Sequence, residues 1–418
     1  MAGRNGNGTR VVVTGMGTLN PIGNSVSEFW ANALQGKSGI DILTQFEHSA
    51  YPIHIAGEVK GFNPEDHMDR REARRMGRFS QFAVAATKEA LRNADLDLDN
   101  TDRNRVGVLL GNGIGSLTDT QAAVTHMLSS DWKIDPFFFP KMLPNMAAAH
   151  VSLMFGAKGY SNTVITACAA GTQAIGDSLD VIRAGRADVV ISGGAEAALS
   201  HVGLCGFAVI RALSSRNDDP QHASRPYDAE RDGFVAAEGS AIFVLENLEH
   251  AKKRNAPILA ELAGYGSTND AHHVVAPCAD GEGASRAMQC ALDDAGIEPG
   301  EVDYINAHGT STKLNDASET IAIKRTFGED AYRTPVSSTK SMIGHTFGAA
   351  GAIESVAAVQ AIVTGTIHPT ANYEFPDPEC DLDYVPGKAR EADVRVVLKN
   401  SFGFGGHNAC LVWKRYED

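Results

Sequence analysis

The chain has 418 residues and a formal net charge of −14, so it can bury a large core in two domains or one duplicated domain, and it is too acidic for a general role on nucleic acids or membrane surfaces. With 43% hydrophobic and 21% charged residues, disorder is excluded for the bulk of the chain. The six cysteines form no CxxC pair, which disfavours a zinc site or a disulfide framework and predicts a reducing, cytoplasmic location.

The amino-terminal segment MAGRNGNGT is polar and rich in Gly and Asn, and no apolar stretch follows it. This composition predicts a frayed tail and not a signal peptide. No apolar run approaches the roughly 20 residues that a membrane span needs. We therefore expect no association with a membrane.

Short β-branched runs alternate with helical segments, which is typical of α/β proteins whose sheets are covered by helices on both faces. In the first half, strands are predicted in RVVVTG from Arg10, VGVLLG from Val106, NTVITA from Asn162 and ADVVISGG from Ala187. Helices are predicted over Ser25–Leu34, Phe79–Ala94 and Gly171–Ala184.

The same alternation restarts after the basic segment AKKRNAP. Strands are then predicted in ILAELAGYG from Ile258, VDYINAHG from Val302, PVSSTK from Pro335 and RVVLKNSFG from Arg395, with helices over Ala284–Ala295 and after Gly348. The pattern indicates two similar halves, residues 1–257 and 258–418. Three long stretches, 39–70, 116–144 and 214–232, are predicted to be irregular and to carry substrate or subunit contacts.

Cys168 lies in TVITACAAGTQAIGDS, where a β-run ends and a helical pattern begins. A thiol at such a turn meets the positive end of a helix, which favours the thiolate, the form that attacks thioesters. The small neighbours in ACAAG leave room for a substrate. Because a lone cysteine is more often a small buried residue, Cys168 is a candidate nucleophile only together with the rest of the pattern.

Two histidines stand in turns rich in Gly and Thr. His308 follows a predicted strand in NAHGTSTKLND, and His345 precedes a predicted helix in SSTKSMIGHTFGAAGAIE. A histidine beside glycine at the end of a strand suits a functional site better than a core. The last β-run ends in KNSFGFGGHNA, whose backbone amides are suited to hold an oxyanion.

The glycines of GNGIGS, which begin at Gly111, do not predict a nucleotide site. The GxGxxG spacing is incomplete, and no acidic residue follows a second strand at the required distance. The acidic residues of GDSLD and GGAEAA lack the spacing of metal ligands. We therefore expect neither a nucleotide cofactor nor a catalytic metal.

Together, TACAAG, NAHGTSTKLND, STKSMIGHTFGAAGAIES and NSFGFGGHN resemble the elongating β-ketoacyl-[acyl-carrier-protein] synthases, type II above all, and the resemblance covers nearly the whole chain. It implies a thiolase fold, with two pseudo-symmetric βαβαβαββ-type halves in a five-layered α-β-α-β-α arrangement, working as a homodimer. The implied reaction is a decarboxylative Claisen condensation of an acyl-enzyme thioester with malonyl carrier protein, which elongates a fatty acid by two carbons.

By this resemblance, Cys168 is the acyl-accepting nucleophile, and the backbone N–H groups of Cys168 and Phe404 form the oxyanion hole. His308 and His345 are the pair that binds the malonyl thioester carbonyl and promotes loss of carbon dioxide. We expect both to be neutral imidazoles that donate from Nε2. Lys340 matches a supporting lysine with an orienting or electrostatic role.

Further positions follow from the same resemblance. Glu354 matches an acidic position behind the site, where a structural salt bridge and a catalytic role are equally open. Thr310 and Thr312 match the pair that hydrogen-bonds the phosphopantetheine arm, and turn capping can coexist with that role. Ile114, with Phe404, matches the gate of the acyl pocket, where a branched side chain favours medium to long acyl chains.

The basic positions that dock the acidic carrier protein match Arg71, Arg74, Arg75 and Arg211. These arginines would give a chain of net charge −14 a local basic patch. A solvated helix face is the alternative interpretation for the arginine run. The implied partner is acyl carrier protein, loaded with acyl or malonyl groups.

Two positions depart from the family's pattern. Val275 stands where the motif has a threonine near the pantetheine, and His407 replaces a common threonine in the last loop; both leave fine substrate preference open. Asn306, Asn400 and Ser401 fall near a position where the family holds a structural monovalent cation, so such an ion is possible here. No other metal or cofactor is implied, since the substrates carry their own phosphopantetheine.

Other condensing enzymes fit the motifs less well. A thiolase would use a second cysteine, for which Cys410 is out of place, and an initiating synthase would show a Cys-His-Asn set. A non-catalytic chain-length partner would lack Cys168. A polyketide-type ketosynthase subunit has nearly the same motifs and stays open, as does the preferred acyl chain.

Overall fold

The computed structural model describes residues 8–130 and 132–418, so most of the predicted amino-terminal tail lies outside the described residues. The strands are β1 (Val11–Leu19), β2 (Ile40–Ile42), β3 (Ile55–Gly57), β4 (Val106–Gly111), β5 (Ser161–Val164), β6 (Val189–Glu196), β7 (Gly239–Asn247), β8 (Ala260–Asn269), β9 (Tyr304–Asn306), β10 (Val336–Ser337), β11 (Thr366–Ile367), β12 (Arg390–Glu391), β13 (Val396–Gly403) and β14 (His407–Lys414). The α-helices are α1 (Val26–Leu34), α2 (Arg70–Ala73), α3 (Arg78–Asn93), α4 (Leu117–Ser129), α5 (Phe138–Met142), α6 (Met146–Phe155), α7 (Ala170–Arg183), α8 (His201–Val209), α9 (Leu248–Lys253), α10 (Glu282–Ala295), α11 (Lys313–Phe327), α12 (Lys340–Ile343) and α13 (Ala350–Thr364).

Two sheets carry the same strand order and the same directions. In the first, β1-β7-β6-β4-β5, strand β7 is antiparallel to both neighbours and β4 is parallel to both of its own. The second, β8-β14-β13-β9-β10, repeats this pattern strand for strand. The sheets meet edge to edge where Val12 and Val13 of β1 pair with Glu261 and Ala260 of β8. The predicted pseudo-symmetric duplication is confirmed.

Five layers follow from the alternation of strand side chains between the two faces of each sheet. Leu109 and Val397 face the middle layer, which α7 and α13 form between the sheets. Val108 faces outward onto α3, and Leu398 faces outward onto α10 and α11. The α-β-α-β-α arrangement expected from the family resemblance is therefore confirmed.

Each half contains one sharp strand-to-helix turn that lies at the centre of the molecule. Short 3₁₀ turns, Ala167–Ala169 and Phe347–Ala349, precede the two middle-layer helices. In both turns the first residue has a positive φ, 49° at Ala167 and 47° at Phe347, a strained backbone region for a side chain with Cβ. One turn carries Cys168, and the other begins two residues after the second candidate histidine.

The stretch 39–70 was predicted to be irregular but contains the paired strands β2 and β3. The stretch 116–144 was also predicted to be irregular, and that prediction is wrong. It contains α4 and α5, and α4 begins at Ser116, whose Oγ accepts a hydrogen bond from the backbone N–H of Asp119 at 3.2 Å. None of the described residues of α4 is buried. Because no face of this helix packs into the core, its sequence shows no apolar period that would reveal it.

One helical stretch, Phe347–Thr364, is apolar and long enough to cross a membrane, but 83% of it is buried inside the fold. It consists of α13 and the turn before it. Its apolar character therefore belongs to the middle layer of the core.

Candidate active site

A cavity of about 650 Å³ brings together most of the predicted site residues. Its wall includes Ile114, Cys168, Arg211, Val275, His308, Thr310, Thr312, His345, Phe402 and Phe404. These residues come from both halves of the fold. The cavity is thus formed where the two similar turns and the loop between β13 and β14 meet.

Cys168 lies in the turn between β5 and α7, half-buried at the cavity wall. The backbone N–H of Phe404 donates a hydrogen bond to the thiol. Gly403 allows this approach, because a Cβ there would lie only 3.2 Å from the backbone nitrogen of Cys168. A main-chain donor therefore stands beside the nucleophile, where an oxyanion hole requires one.

Burial raises the pKa of the Cys168 thiol to about 12, although the Lys340 ammonium and the Phe404 N–H oppose the rise. The thiol therefore keeps its proton at neutral pH in the free protein. The helix end was expected to favour the thiolate, but in the free protein desolvation by the surrounding residues outweighs that effect. The thiol must therefore lose its proton during the attack on a thioester, and the departing sulfur of the substrate can accept it.

His308 and His345 face each other, with ring centroids 5.5 Å apart and an interplanar angle of 84°. Nζ of Lys340 lies 3.2 Å from Nδ1 of His308, and the backbone N–H of Phe347 donates to Nδ1 of His345 at 3.3 Å. Because both Nδ1 atoms accept, these contacts assign the proton of each neutral ring to Nε2. Nε2 of His345 is buried without a hydrogen-bond partner among the described residues. It is available to a ligand.

The pKa values of both imidazoles are held well below the ordinary 6.5. Burial is the largest cause, and the positive charge of Lys340 adds to it. Both rings are therefore neutral at physiological pH, as the family resemblance led us to expect. A pair of neutral N–H donors suits a substrate oxygen that gains negative charge during the reaction.

Lys340 is buried behind His308 and does not line the cavity. Its Nζ donates to the backbone oxygen of His308 at 2.7 Å and forms an ion pair with Glu354. Glu354 is itself fully buried on α13, and its second carboxylate oxygen lies 2.8 Å from Nζ of Lys399. The geometry favours the structural salt bridge over a catalytic role for Glu354. Glu354 affects the site by holding Lys340, which in turn contacts His308.

Sequence reasoning missed two buried carboxylates on α11. Glu319 accepts from the backbone N–H of His308 at 2.8 Å, and Asp316 accepts from the backbone N–H of Thr310 at 3.0 Å. They hold this loop in a conformation that includes a positive φ of 69° at Ser311. Their spacing could have revealed them in the sequence, because two acids at i and i+3 lie on one helix face directly after the histidine motif.

Ile114, which the family resemblance places at an acyl gate, packs with Phe207 and Phe347 beside the cavity. The rings of Phe207 and Phe347 stack with centroids 4.9 Å apart, and Phe207 lies 6.4 Å from Phe404. Phe207 belongs to no motif, so its place in the cavity could not be predicted from the sequence. These side chains form an apolar end of the cavity suited to a hydrocarbon chain.

Thr310 and Thr312 lie side by side on the cavity wall, with hydroxyl oxygens 2.8 Å apart. Thr312 also caps α11 by accepting from the backbone N–H of Asn315 at 3.4 Å. Capping and exposure to the cavity therefore coexist. Val275, which departs from the family's pattern, lines the same cavity, whereas His407 begins β14.

Arg71, Arg74 and Arg75 line a separate surface pocket of about 930 Å³. Arg75 pairs with Glu72 at 3.2 Å, whereas Arg71 and Arg74 are exposed and form no ion pair within the described part of the chain. Arg211 instead lines the catalytic cavity. The four arginines expected to form one patch therefore divide into a cluster of three and a single residue at the site.

Comparisons with known proteins agree with this geometry. The model of the β-ketoacyl synthase N-terminal domain matches residues 8–251, and that of the C-terminal domain matches residues 259–374. The 3-oxoacyl-[acyl-carrier-protein] synthase 2 of Staphylococcus aureus (strain N315) is 50% identical over 409 residues, 98% of this chain and 99% of the relative. The protein of the same name from Synechocystis sp. is 50% identical and covers 98% of both chains.

Solved structures extend the match to three dimensions. A β-ketoacyl synthase from Burkholderia phymatum STM815 has a TM-score of 0.91 and 38% identity, covering 98% of this chain and 100% of the other. A ketosynthase solved in complex with its type II PKS acyl-carrier protein has the same TM-score, identity and coverage. With its duplicated five-layered fold and a cavity that brings Cys168 together with His308 and His345, this chain belongs to the β-ketoacyl synthase family.

Proposed function

We propose that this protein is a 3-oxoacyl-[acyl-carrier-protein] synthase that elongates acyl chains by two carbons through decarboxylative condensation with malonyl carrier protein. The observation that carries the proposal is the meeting of the Cys168 thiol with two Nε2–H imidazoles in one cavity. Relatives of that name, 50% identical over 98% of the chain, support it.

In the first step, the sulfur of Cys168 attacks the carbonyl carbon of an acyl thioester. The carbonyl oxygen gains negative charge between the N–H groups of Cys168 and Phe404. The thiol proton passes to the departing pantetheine sulfur as the carbon–sulfur bond of the substrate breaks, so the products are an acyl-Cys168 and a free pantetheine thiol.

In the second step, the malonyl thioester oxygen accepts from Nε2–H of His308 and His345. The bond to the malonyl carboxylate breaks, carbon dioxide leaves, and the electron pair becomes an enolate that the two donors stabilise. The enolate carbon attacks the acyl carbonyl on Cys168, and collapse of the adduct breaks its carbon–sulfur bond. The sulfur leaves as a thiolate and takes up one proton from solvent to restore the thiol. Lys340 keeps Nδ1 of His308 an acceptor, which maintains the donating tautomer.

An assay with purified protein, malonyl carrier protein and a series of acyl carrier-protein primers tests the function. We expect a single two-carbon extension, with medium to long primers preferred, because the end of the cavity near Ile114 and Phe207 is apolar. Repeated extension of one primer without reduction would instead support the polyketide-type ketosynthase. Absence of a 3-oxoacyl product from every primer would contradict both.

We also propose that the protein works as a homodimer in the cytoplasm. Strand β5 lies at the edge of its sheet, where unpaired main-chain groups can join a second copy. Beside it, Ile165 and Leu153 are 56% and 77% exposed. All six cysteines are free, which fits a reducing compartment.

Docking of the acidic carrier protein on the arginine cluster gives a separate prediction. Reversal of the two unpaired, exposed arginines, Arg71→Glu with Arg74→Glu, should raise the apparent KM for carrier-linked substrates by about tenfold or more, since rim charges steer association. Added salt should weaken the wild-type enzyme in the same direction, because the screening length falls below about 8 Å above physiological ionic strength.

A matched control is the double reversal of Lys253 and Lys388 to Glu, because both are exposed and lie outside the two pockets. It changes the net charge equally and should leave KM near the wild-type value. Small pantetheine thioesters, which lack a protein surface, should react equally well with all three proteins. Equal losses with both kinds of substrate would show that Arg71 and Arg74 support the fold and do not dock the carrier.

A further inference from the structure

Lys399 is a fully buried lysine on β13 that does not line the catalytic cavity. Oxygen atoms surround its Nζ: a carboxylate oxygen of Glu354 at 2.8 Å, Oγ of Ser401 at 2.9 Å and the backbone oxygen of Asn400. A buried ammonium is costly unless its charge and its donors are all matched in this way. The mechanism described above makes no use of it.

The same place is where the family resemblance puts a structural cation, near Asn306, Asn400 and Ser401. The residues present do not fit that ion, because hard cations need several free oxygen ligands. The backbone oxygen of Asn400 and Oγ of Ser401 already accept from Lys399. Two oxygen atoms at this place, Oδ1 of Asn306 and Oε2 of Glu354, are buried without a hydrogen bond among the described residues, and Oε2 already lies 2.8 Å from the Lys399 ammonium in an ion pair.

Lys399 also connects the two sides of the active site. Glu354 gives one carboxylate oxygen to Lys340, which holds His308, and the other to Lys399. On the opposite side, Oγ of Ser401 lies 2.7 Å from Oγ1 of Thr172 on α7, the helix that begins just after Cys168. The positive charge of Lys399 therefore holds the Glu354 carboxylate, and Glu354 in turn holds Lys340 against His308.

We propose that Lys399 is a positioning residue that serves as a built-in cation. Its ammonium replaces a bound alkali ion, keeps Glu354 directed at Lys340, and so holds His308 ready for decarboxylation. The catalytic part of this inference rests on the proposed function, whereas the replacement of the ion does not.

The wild-type protein alone tests the replacement. After removal of alkali ions, its thermal unfolding temperature and its condensation rate should be the same in potassium, sodium and tetramethylammonium chloride at equal ionic strength. Native mass spectrometry should find no retained alkali ion. A rise in unfolding temperature specific to potassium or sodium, or a retained ion, would overturn the inference even if the protein proved to catalyse another reaction.

Two variants separate charge from size. Lys399→Ser removes the ammonium and leaves space lined by oxygen atoms, whereas Lys399→Met fills the space without charge. Both should lower kcat for condensation by about tenfold or more, the loss typical for a partner that orients an active-site side chain. The KM for malonyl carrier protein and acylation of Cys168 should change little.

Potassium should raise both the unfolding temperature and the kcat of Lys399→Ser, because the ion can enter the vacated oxygen-lined space. It should rescue neither property of Lys399→Met, and tetramethylammonium should rescue neither variant. A Lys399→Met protein with the wild-type kcat, or equal responses of the two variants to potassium, would contradict the proposal.

Discussion

Cys168→Ala is expected to abolish acyl transfer and condensation while the fold remains intact. Alanine is tolerated because the residue is followed in its turn by Ala169 and Ala170, and the site loses only one sulfur atom from a cavity wall. Without the sulfur no acyl-enzyme can form, so we expect a loss of about 10⁴-fold or more in condensation, as for other catalytic nucleophiles. Decarboxylation of malonyl carrier protein should persist, since it needs His308 and His345.

Cys278→Ala is the matched control, because Cys278 lines the same cavity and its Sγ contacts Asp280 at 3.1 Å. This variant should condense at nearly the wild-type rate. Mass spectrometry of wild-type protein incubated with an acyl thioester should place the adduct on the Cys168 peptide. An adduct on Cys278, or condensation by Cys168→Ala at the wild-type rate, would contradict the assignment of Cys168 as the nucleophile.

The sequence predicted the elements whose signals are local. Strands were predicted over residues 10–15 and 106–111 because runs of Val and Leu must be covered on both faces, and the structure has buried strands over Val11–Leu19 and Val106–Gly111. Cys168, His308 and His345 were identifiable because the turns that carry them need small or glycine neighbours, which stand out in one dimension. That the three residues share one site was implied by the family resemblance and not by these local patterns.

Features that depend on packing at a distance were missed or misjudged. Asp316 is visible in the sequence, but its role in holding the Thr310 loop depends on where α11 docks. The raised pKa of Cys168 is likewise a tertiary effect, because burial by both halves removes water from a thiol that the local pattern places at a helix end. The arginines matched to docking positions shared a charge, and charge alone does not tell which pocket each residue lines.

His308→Ala and His345→Ala are each expected to leave acyl-enzyme formation measurable while condensation falls by about 10²–10³-fold, the usual effect of removing one donor from a developing oxyanion. The reason is that each ring offers one Nε2–H to the malonyl carbonyl. Quantifying acyl-Cys168 by mass spectrometry and 3-oxoacyl product in parallel separates the two steps. Wild-type condensation by both variants would show that the pair is structural.

His273→Ala provides the control, since His273 lines the same cavity but its Nδ1 accepts from the backbone N–H of Val275 at 3.0 Å.

The dependence of the condensation rate on pH is a further measurement, which a merely structural role of the two histidines would not change. An ordinary histidine is half protonated near pH 6.5, whereas the pKa values of His308 and His345 lie well below it. Neutral donors therefore persist as the pH falls through 6.5, and wild-type condensation should decline only at more acidic pH. An inflection near pH 6.5 that disappears in His308→Ala or His345→Ala would contradict the neutral pair.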